Sequence, residues 1–485
     1  MEELGVFVLG IFGLGNLYLL YTQTKNKRIT FFPYPPSSSP SRARRTHARR
    51  SSPTLMSHAA TSPWPAWAEA QLGDLAERRL LRSLRSLTPL PSDNGLSAAL
   101  VGTTTYQQML DNTPSTGEVE AATGGMRLTI FAANDYLGLS AHPAVREAAA
   151  AAALAHGSGP RGSALVCGYT HTHRELETAL AALEQAEEAL LFPTGYAANL
   201  AVLGTFADSA QCAIFSDELN HASIVDGARL ASRGAGASLH VYRHSDLADL
   251  DRLLRASTAP RKIIVSDSLF SMDGDLADVK GLVRMRNRHG ALLCLDEAHA
   301  TLVFGENGGG VAESAGVASE VDLHVGTLSK AFGSFGGFVA CSRSHKQLLI
   351  CRGRPAIYST ALPMPAVAAA LASLKAATPE LRATLWKRVQ TFGAATGLHP
   401  HSAIVPIVVG AEGAALEASA QLLRRGLLVP AIRPPTVPKG TARLRVALSA
   451  AHSHEEVLDL AAAIRDLGLL PPSAAYSSPS IAARL

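Results

Sequence analysis

Six short apolar runs, at 189–192, 212–215, 262–266, 291–295, 322–326 and 337–341, punctuate the middle of this chain of 485 residues. Each is too short for a core helix and fits a buried strand. The stretches between them, 174–187 and 276–289 among others, carry helical spacing. Strands alternating with helices predict an α/β fold around a mostly parallel sheet, because a parallel pair needs a crossover long enough to hold a helix.

Near Ala361 the texture changes. Ala-rich helical stretches (366–377, 380–396, 412–425, 454–467) surround two β-like runs, 403–409 and 442–449, which predicts a smaller α+β domain. The expected division is therefore a large domain over 126–365, a small C-terminal domain over 366–472 and a flexible tail over 473–485. Trp67, Leu72, Leu75, Leu80 and Leu84 predict an amphipathic helix over 66–87, and the polar stretch 91–125 reads as a loop or insertion; together they make an N-terminal segment over 61–125. Residues 1–60 read differently. Val6–Tyr21 is apolar but short for a membrane span, and 33–53 is rich in Pro, Ser and Arg without acidic residues. That segment is either a targeting or anchor sequence or the product of an upstream start, since Met56 leads straight into the folded part; membrane contact is expected only if 6–21 is a real anchor.

Hydrophobic residues at 47% and charged residues at 17% fit a soluble α/β enzyme. The net charge of +4 is small, and Arg-rich 42–50 supplies much of it outside the expected fold, so no nucleic-acid surface is implied. Five scattered cysteines without a C-x-x-C pair argue against a disulfide framework or a metal site.

Chemistry concentrates at Lys330, in Thr327-Leu328-Ser329-Lys330-Ala331-Phe332-Gly333. A lysine beside hydroxyls and a glycine-rich turn can form an imine with an aldehyde cofactor, and Thr327 and Ser329 suit a nearby phosphate. Upstream, Asp296-Glu297-Ala298-His299 closes the apolar run 291–295. The same box occurs in ATP-driven helicases, but they require G-x-x-x-x-G-K-[ST], and this chain has no Gly-Lys dipeptide. The remaining reading is a pyridoxal phosphate (PLP) site: Lys330 carries the imine, Asp296 keeps the pyridine nitrogen protonated, and His299 donates to the phenolic oxygen. Gly195 and Tyr196, at a strand-to-helix turn, offer amides to the phosphate. His221 follows another strand and is placed to lie on the cofactor ring, and Ser271 to hydrogen-bond the ring or position His299. Arg433, Arg443 and Arg445 are candidates for a substrate carboxylate; period two puts Arg443 and Arg445 on one strand face, so spacing does not separate them.

These motifs, in this order from about Trp67 to Leu469, closely resemble the α-oxoamine synthases, PLP enzymes of fold type I (aspartate-aminotransferase-like). Asn134-Asp135-Tyr136-Leu137-Gly138-Leu139-Ser140, Gly195-Tyr196, the Asp-Glu-Ala-His box and 432–445 look most like the branch that joins L-alanine to pimeloyl-CoA or the pimeloyl carrier-protein thioester in biotin biosynthesis. The resemblance implies that Lys330, Gly195, Tyr196, His221, Ser271, Asp296, His299 and Thr327 serve PLP. It implies substrate contacts at Asn134, His221, Arg85 and Thr436, with Arg445 first and Arg433 second for the amino-acid carboxylate. Ser359 and Thr360 resemble a segment that reaches the phosphate from a neighbouring subunit, which implies a homodimer. One departure is Pro160-Arg161, where relatives carry smaller residues. The alternatives are a glycine-using member of the family, an ordinary fold-type-I aminotransferase and a non-catalytic subunit of the same fold. The last three residues, Ala483-Arg484-Leu485, resemble a peroxisomal signal, so the peroxisome is expected ahead of cytosol or mitochondrion.

Overall fold

The computed structural model describes residues 62–78, 80–90, 98–112 and 125–470. The expectations for 1–60 and for the tail 473–485 lie outside these residues.

A seven-stranded sheet organises the molecule. Its spatial order is Glu188–Phe192, Gly337–Cys341, Leu323–Thr327, Leu292–Asp296, Arg261–Asp267, Cys212–Asp217, Ser238–Tyr242. Gly337–Cys341 runs antiparallel to both of its neighbours, and every other pairing is parallel. All six expected runs are strands of this sheet. Gly337–Cys341, Leu323–Thr327 and Cys212–Asp217 are buried at every residue, which is why they read as continuous apolar runs rather than alternating ones. The seventh strand, Ser238–Tyr242, is an edge strand with mixed exposure, and its polar residues hide it from an apolar-run search.

Helices Gly195–Phe206, Ala222–Ala235, Leu247–Ala256 and Val279–His289 lie in the connections. Their ends are locally encoded. Thr194 caps the first through Ala197 N, Asp278 caps the last through Gly281 N, and Gly290 closes it at φ 59°. Four parallel strands end on polar side chains at the same edge: Asp217, Asp267, Asp296 and Thr327. Ligands of open α/β sheets bind outside the carboxyl ends of the strands, so this edge is where a site belongs.

The C-terminal part holds a three-stranded antiparallel sheet in the order Ile404–Gly410, Ala442–Ala447, Ala431–Ile432. A third sheet joins distant parts of the chain: Thr88–Pro89, Ala98–Val101 and Met126–Ile130 pair antiparallel, and Leu427–Leu428 adds parallel to Met126–Ile130. Two expectations change here. The stretch 91–125, read as a loop, contains the strand Ala98–Val101 and the helix Thr103–Leu110. The division at 365/366 falls within the helix Met364–Ala376, which packs against Pro143–His156 and His171–Leu183. The N-terminal helix is also shorter than its apolar pattern, Pro63–Glu77, and leaves Trp64, Trp67 and Leu72 exposed.

Candidate active site

Three of the polar strand ends, Asp267, Asp296 and Thr327, open onto a cavity of about 210 Å³ that is also lined by Thr194, Gly195, Tyr196, His221, Ser223, Leu269, Ala298, His299, Ser329 and Lys330. The lysine of one motif and the carboxylate and imidazole of the other therefore meet in one space, although the sequence separates them by about thirty residues.

Lys330 follows the strand Leu323–Thr327. Burial pushes its amine down to about 8; the Asp296 and Asp267 carboxylates pull it up, and the Arg445 guanidinium adds to the depression. A lysine in this state is a usable nucleophile and base near neutral pH. Thr327 donates to the Gly336 carbonyl at 3.0 Å and lies 2.8 Å from the Ser329 hydroxyl, so the two hydroxyls flank the lysine.

Asp296 ends its strand and is buried; Oδ1 accepts from Ala298 N at 2.9 Å and Oδ2 from Asn199 Nδ2 at 2.6 Å. His299 is buried too, and burial, reinforced by the Lys330, Arg445 and His221 charges, holds its imidazole well below the ordinary value. The Tyr136 hydroxyl, 2.6 Å from Nδ1, is pushed up to about 12 by burial and keeps its proton. The same hydroxyl also lies 3.3 Å from Asn134 Oδ1, to which it donates; an Nε2–H tautomer of His299 follows where the phenol gives its proton to Nδ1 instead. Glu297, between these two residues, turns into the core instead, accepting from Val311 N, Ala312 N and the Ser268 hydroxyl.

The helix Gly195–Phe206 starts at the cavity. Thr194 satisfies Ala197 N at 3.0 Å, and the earlier amides of the first turn have no partner within the helix, which suits a phosphate. Packing leaves no slack: a Cβ on Gly337 would lie 2.4 Å from Gly195 N, and one on Gly195 3.2 Å from Thr327 Cβ. Tyr196 donates to Asp226 at 2.5 Å, and its ring meets His221 edge-on at 6.5 Å.

Arg445 is 4% exposed. Its Nε donates to the Ser271 carbonyl at 2.6 Å and its Nη1 to Asn134 Oδ1 at 3.2 Å, while Nη2 is buried without an acceptor. Arg443 is already committed, to Asp273 Oδ1 at 2.5 Å and the Met272 carbonyl at 3.3 Å. Arg445 does not itself line the cavity; of the two strand arginines it is the one with a buried nitrogen lacking a protein acceptor.

Other expected residues lie elsewhere. Ser271 and Asn134 do not line the cavity; they act by anchoring Arg445. Arg433, the second choice for the amino-acid carboxylate, lines a separate cavity of about 580 Å³ together with Arg85. Thr436 is exposed in the turn after Ala431–Ile432 and lines neither cavity. Ser359 and Thr360 are likewise outside both, and Thr360 bridges to Ser163. Four side chains escaped sequence reasoning: Tyr136, Asn199, Ser223 and Asp267. Tyr136 lies in the motif 134–140, and Asp267 ends a strand in register with Asp296, a neighbour that only the pairing of the two strands supplies.

A small ring fits these groups: an amine, a carboxylate and an imidazole share the cavity, and a helix N-terminus with two hydroxyls stands at one side. Comparisons with known proteins agree. The family model for aminotransferase class I and II matches residues 127–464. The 8-amino-7-oxononanoate synthase of Arabidopsis thaliana is 48% identical over 384 residues, 74% of this chain and 81% of that protein. The enzyme of the same name from Anaeromyxobacter dehalogenans (strain 2CP-1 / ATCC BAA-258) is 48% identical, covering 74% and 91%. Among solved structures, Sphingomonas wittichii serine palmitoyltransferase has TM-score 0.71 and 30% identity over 86% of this chain and 100% of that one. The 8-amino-7-oxononanoate synthase of Francisella tularensis has TM-score 0.60 and 27% identity over 70% and 97%. A serine palmitoyltransferase with PLP as internal aldimine has TM-score 0.72 and 28% identity over 83% and 98%. The chain belongs to the aminotransferase class I and II family, as a PLP-dependent enzyme of fold type I grouped with the 8-amino-7-oxononanoate synthases.

Proposed function

We propose that this protein condenses L-alanine with a pimeloyl thioester, pimeloyl-CoA or pimeloyl carrier protein, releasing CO2 and the thiol and forming 8-amino-7-oxononanoate for biotin biosynthesis. The observation that carries this reading is Arg445, a buried guanidinium beside the lysine cavity with one nitrogen lacking an acceptor, in a chain 48% identical to enzymes of that name.

PLP, when bound, supplies an electron sink for the alanine Cα. The protein's residues do the rest. Lys330 would attach the cofactor and, once the alanine amine had displaced it, its freed amine, neutral at mildly alkaline pH, would take the Cα proton. With PLP in the cavity, Asp296 would keep a proton on the pyridine nitrogen, and the His299 imidazole would donate to the ring oxygen. Arg445 holds the alanine carboxylate, itself braced by Asn134 and Ser271. His221 stands at the cavity for the carbonyl and carboxylate groups of the condensed product. Arg85 and Arg433 share the larger cavity, which supports their use for the far carboxylate of the pimeloyl chain.

The test is thiol release from pimeloyl-CoA by purified, PLP-loaded protein with L-alanine, glycine or L-serine. Alanine-dependent release, abolished in Lys330→Ala, is expected; faster release with glycine would replace this reading with the glycine-using one.

A homodimer is part of the same proposal. The helix Arg354–Ile357 packs against both Ala164–Gly168 and Gly195–Phe206, and these segments and their neighbours expose Leu165, Val166, Tyr196 and Tyr358. Apolar exposure of that kind supports a covered face, with Ser359 and Thr360 close by to reach the partner's phosphate. Light scattering giving a monomer mass would refute it. Peroxisomal residence rests on Ala483-Arg484-Leu485 and is tested by a fluorescent fusion with and without Leu485.

A further inference from the structure

A continuous hydrogen-bonded chain joins Asp296 to His221, two of the groups that line the cavity. Asp296 Oδ2 lies 2.6 Å from Asn199 Nδ2, the same Nδ2 lies 2.9 Å from Ser223 Oγ, and Ser223 Oγ lies 2.7 Å from His221 Nδ1. Asn199 and Ser223 are fully buried, so neither exchanges these partners for water.

The direction of each bond follows from the two ends independently. At one end a carboxylate only accepts, so Asn199 must present its amide nitrogen; its Oδ1 is correspondingly left without a partner. One proton of that nitrogen goes to Asp296 and the other to Ser223 Oγ. At the other end Ser223 N, which only donates, lies 3.2 Å from His221 Nδ1, because His221 caps the helix Ala222–Ala235 with its own ring nitrogen. Nδ1 is therefore an acceptor, and the Ser223 hydroxyl, having accepted from Asn199, gives its proton to the same nitrogen. His221 N is held as well, donating to Asp267 Oδ2 at 3.1 Å.

We propose that Asn199 and Ser223 are positioning residues that lock His221 as the neutral Nε2–H tautomer and tie it to the Asp296 carboxylate, so that His221 meets the substrate as a hydrogen-bond donor and not as a base. Desolvation, the largest influence, lowers the imidazole below its ordinary value, in keeping with a neutral ring. The proposal deepens the condensation reading and rests on it for the catalytic consequence. The tautomer itself does not depend on that reading.

The experiment uses full-length protein labelled with 15N in its histidine rings, with the His221 signals assigned by their loss in His221→Gln. In cofactor-free and PLP-loaded protein at pH 7, Nδ1 is expected as the unprotonated, pyridine-type nitrogen and Nε2 as the protonated one. Ser223→Ala is expected to give a fraction of rings protonated at Nδ1 and to lower kcat about tenfold, with the alanine KM within twofold, since Arg445 and not this chain reads the carboxylate. Ser223→Thr, which keeps the hydroxyl, restores both. A wild-type ring protonated at Nδ1, or a Ser223→Ala variant with unchanged spectrum and unchanged kcat, overturns the proposal. A protein that turned over no alanine would refute the condensation reading, while the wild-type spectrum would still decide the tautomer.

Discussion

Arg445→Lys separates the carboxylate reader from its neighbours. A guanidinium has five N–H groups. In Arg445 the Nε proton goes to the Ser271 carbonyl and one Nη1 proton to Asn134, which leaves one Nη1 proton and the unpartnered Nη2 to receive a carboxylate side-on. Hydrogen bonds to charged groups contribute about 1.5–3 kcal/mol each. Lysine keeps the charge but loses the fork and both anchors, so at least one such bond, and part of a second, is forfeited; about 3–4 kcal/mol is the expected loss. At ~1.4 kcal/mol per tenfold, kcat/KM for alanine falls about 10²–10³-fold. The assay is thiol release at saturating pimeloyl-CoA with alanine varied. The loss is expected chiefly in the alanine KM, with the thioester KM little changed. Arg443→Lys is the control: that guanidinium is spent on Asp273 and the Met272 carbonyl, so alanine kinetics stay within about fivefold once the protein is folded. An Arg445→Lys enzyme with alanine kcat/KM within threefold of the parent, or a larger alanine KM in Arg443→Lys, would falsify this assignment.

Three further outcomes are expected. The Lys330 amine, pushed down to about 8, is protonated below that pH; capture of added PLP by apoprotein, followed by absorbance, should rise about tenfold per pH unit up to about 8 and level off above it, and a rise continuing to pH 10 would mean that burial does not depress the lysine. Gly337→Ala would press a Cβ into the backbone of Thr194 and Gly195, so a loss of about 1–3 kcal/mol in stability should accompany weaker PLP binding, measured by denaturant titration and cofactor fluorescence. Lys346 lies 2.9 Å from the buried Glu177 and 3.1 Å from Glu188; Lys346→Met leaves Glu177 only the more distant Arg174 at 3.9 Å and should cost up to about 3–5 kcal/mol, most of it recovered by adding Glu177→Gln, and the two changes behaving additively would refute the coupling.

What could be read from the chain, and what could not, follows from where each signal resides. A strand buried on both faces announces itself as an apolar run, and all six such runs became strands of the main sheet. The edge strand Ser238–Tyr242 has a wet face and no such run. Pairing between Met126–Ile130 and Leu427–Leu428 spans about three hundred residues and has no local trace at all. The same division holds in the site. Lys330, Asp296 and His299 stand in compact motifs whose residue types the chemistry demands, whereas Asn199, Ser223 and Asp267 matter only because folding closes a polar network around them.

The two arginines of Ala442–Ala447 make the point most sharply. They are of one residue type on one strand face, both are buried to within a few per cent, and nothing in their immediate sequence marks either as the reader of a carboxylate. Asp273 decides between them. It comes from a turn some 170 residues earlier and neutralises Arg443, while the Ser271 carbonyl of that turn and Asn134 brace Arg445 and leave one of its nitrogens unpaired. An unpaired buried donor costs about 1–3 kcal/mol of folding free energy. An anion that took those protons would recover that cost, which is the physical ground for proposing Arg445, and not Arg443, as the reader of the amino-acid carboxylate.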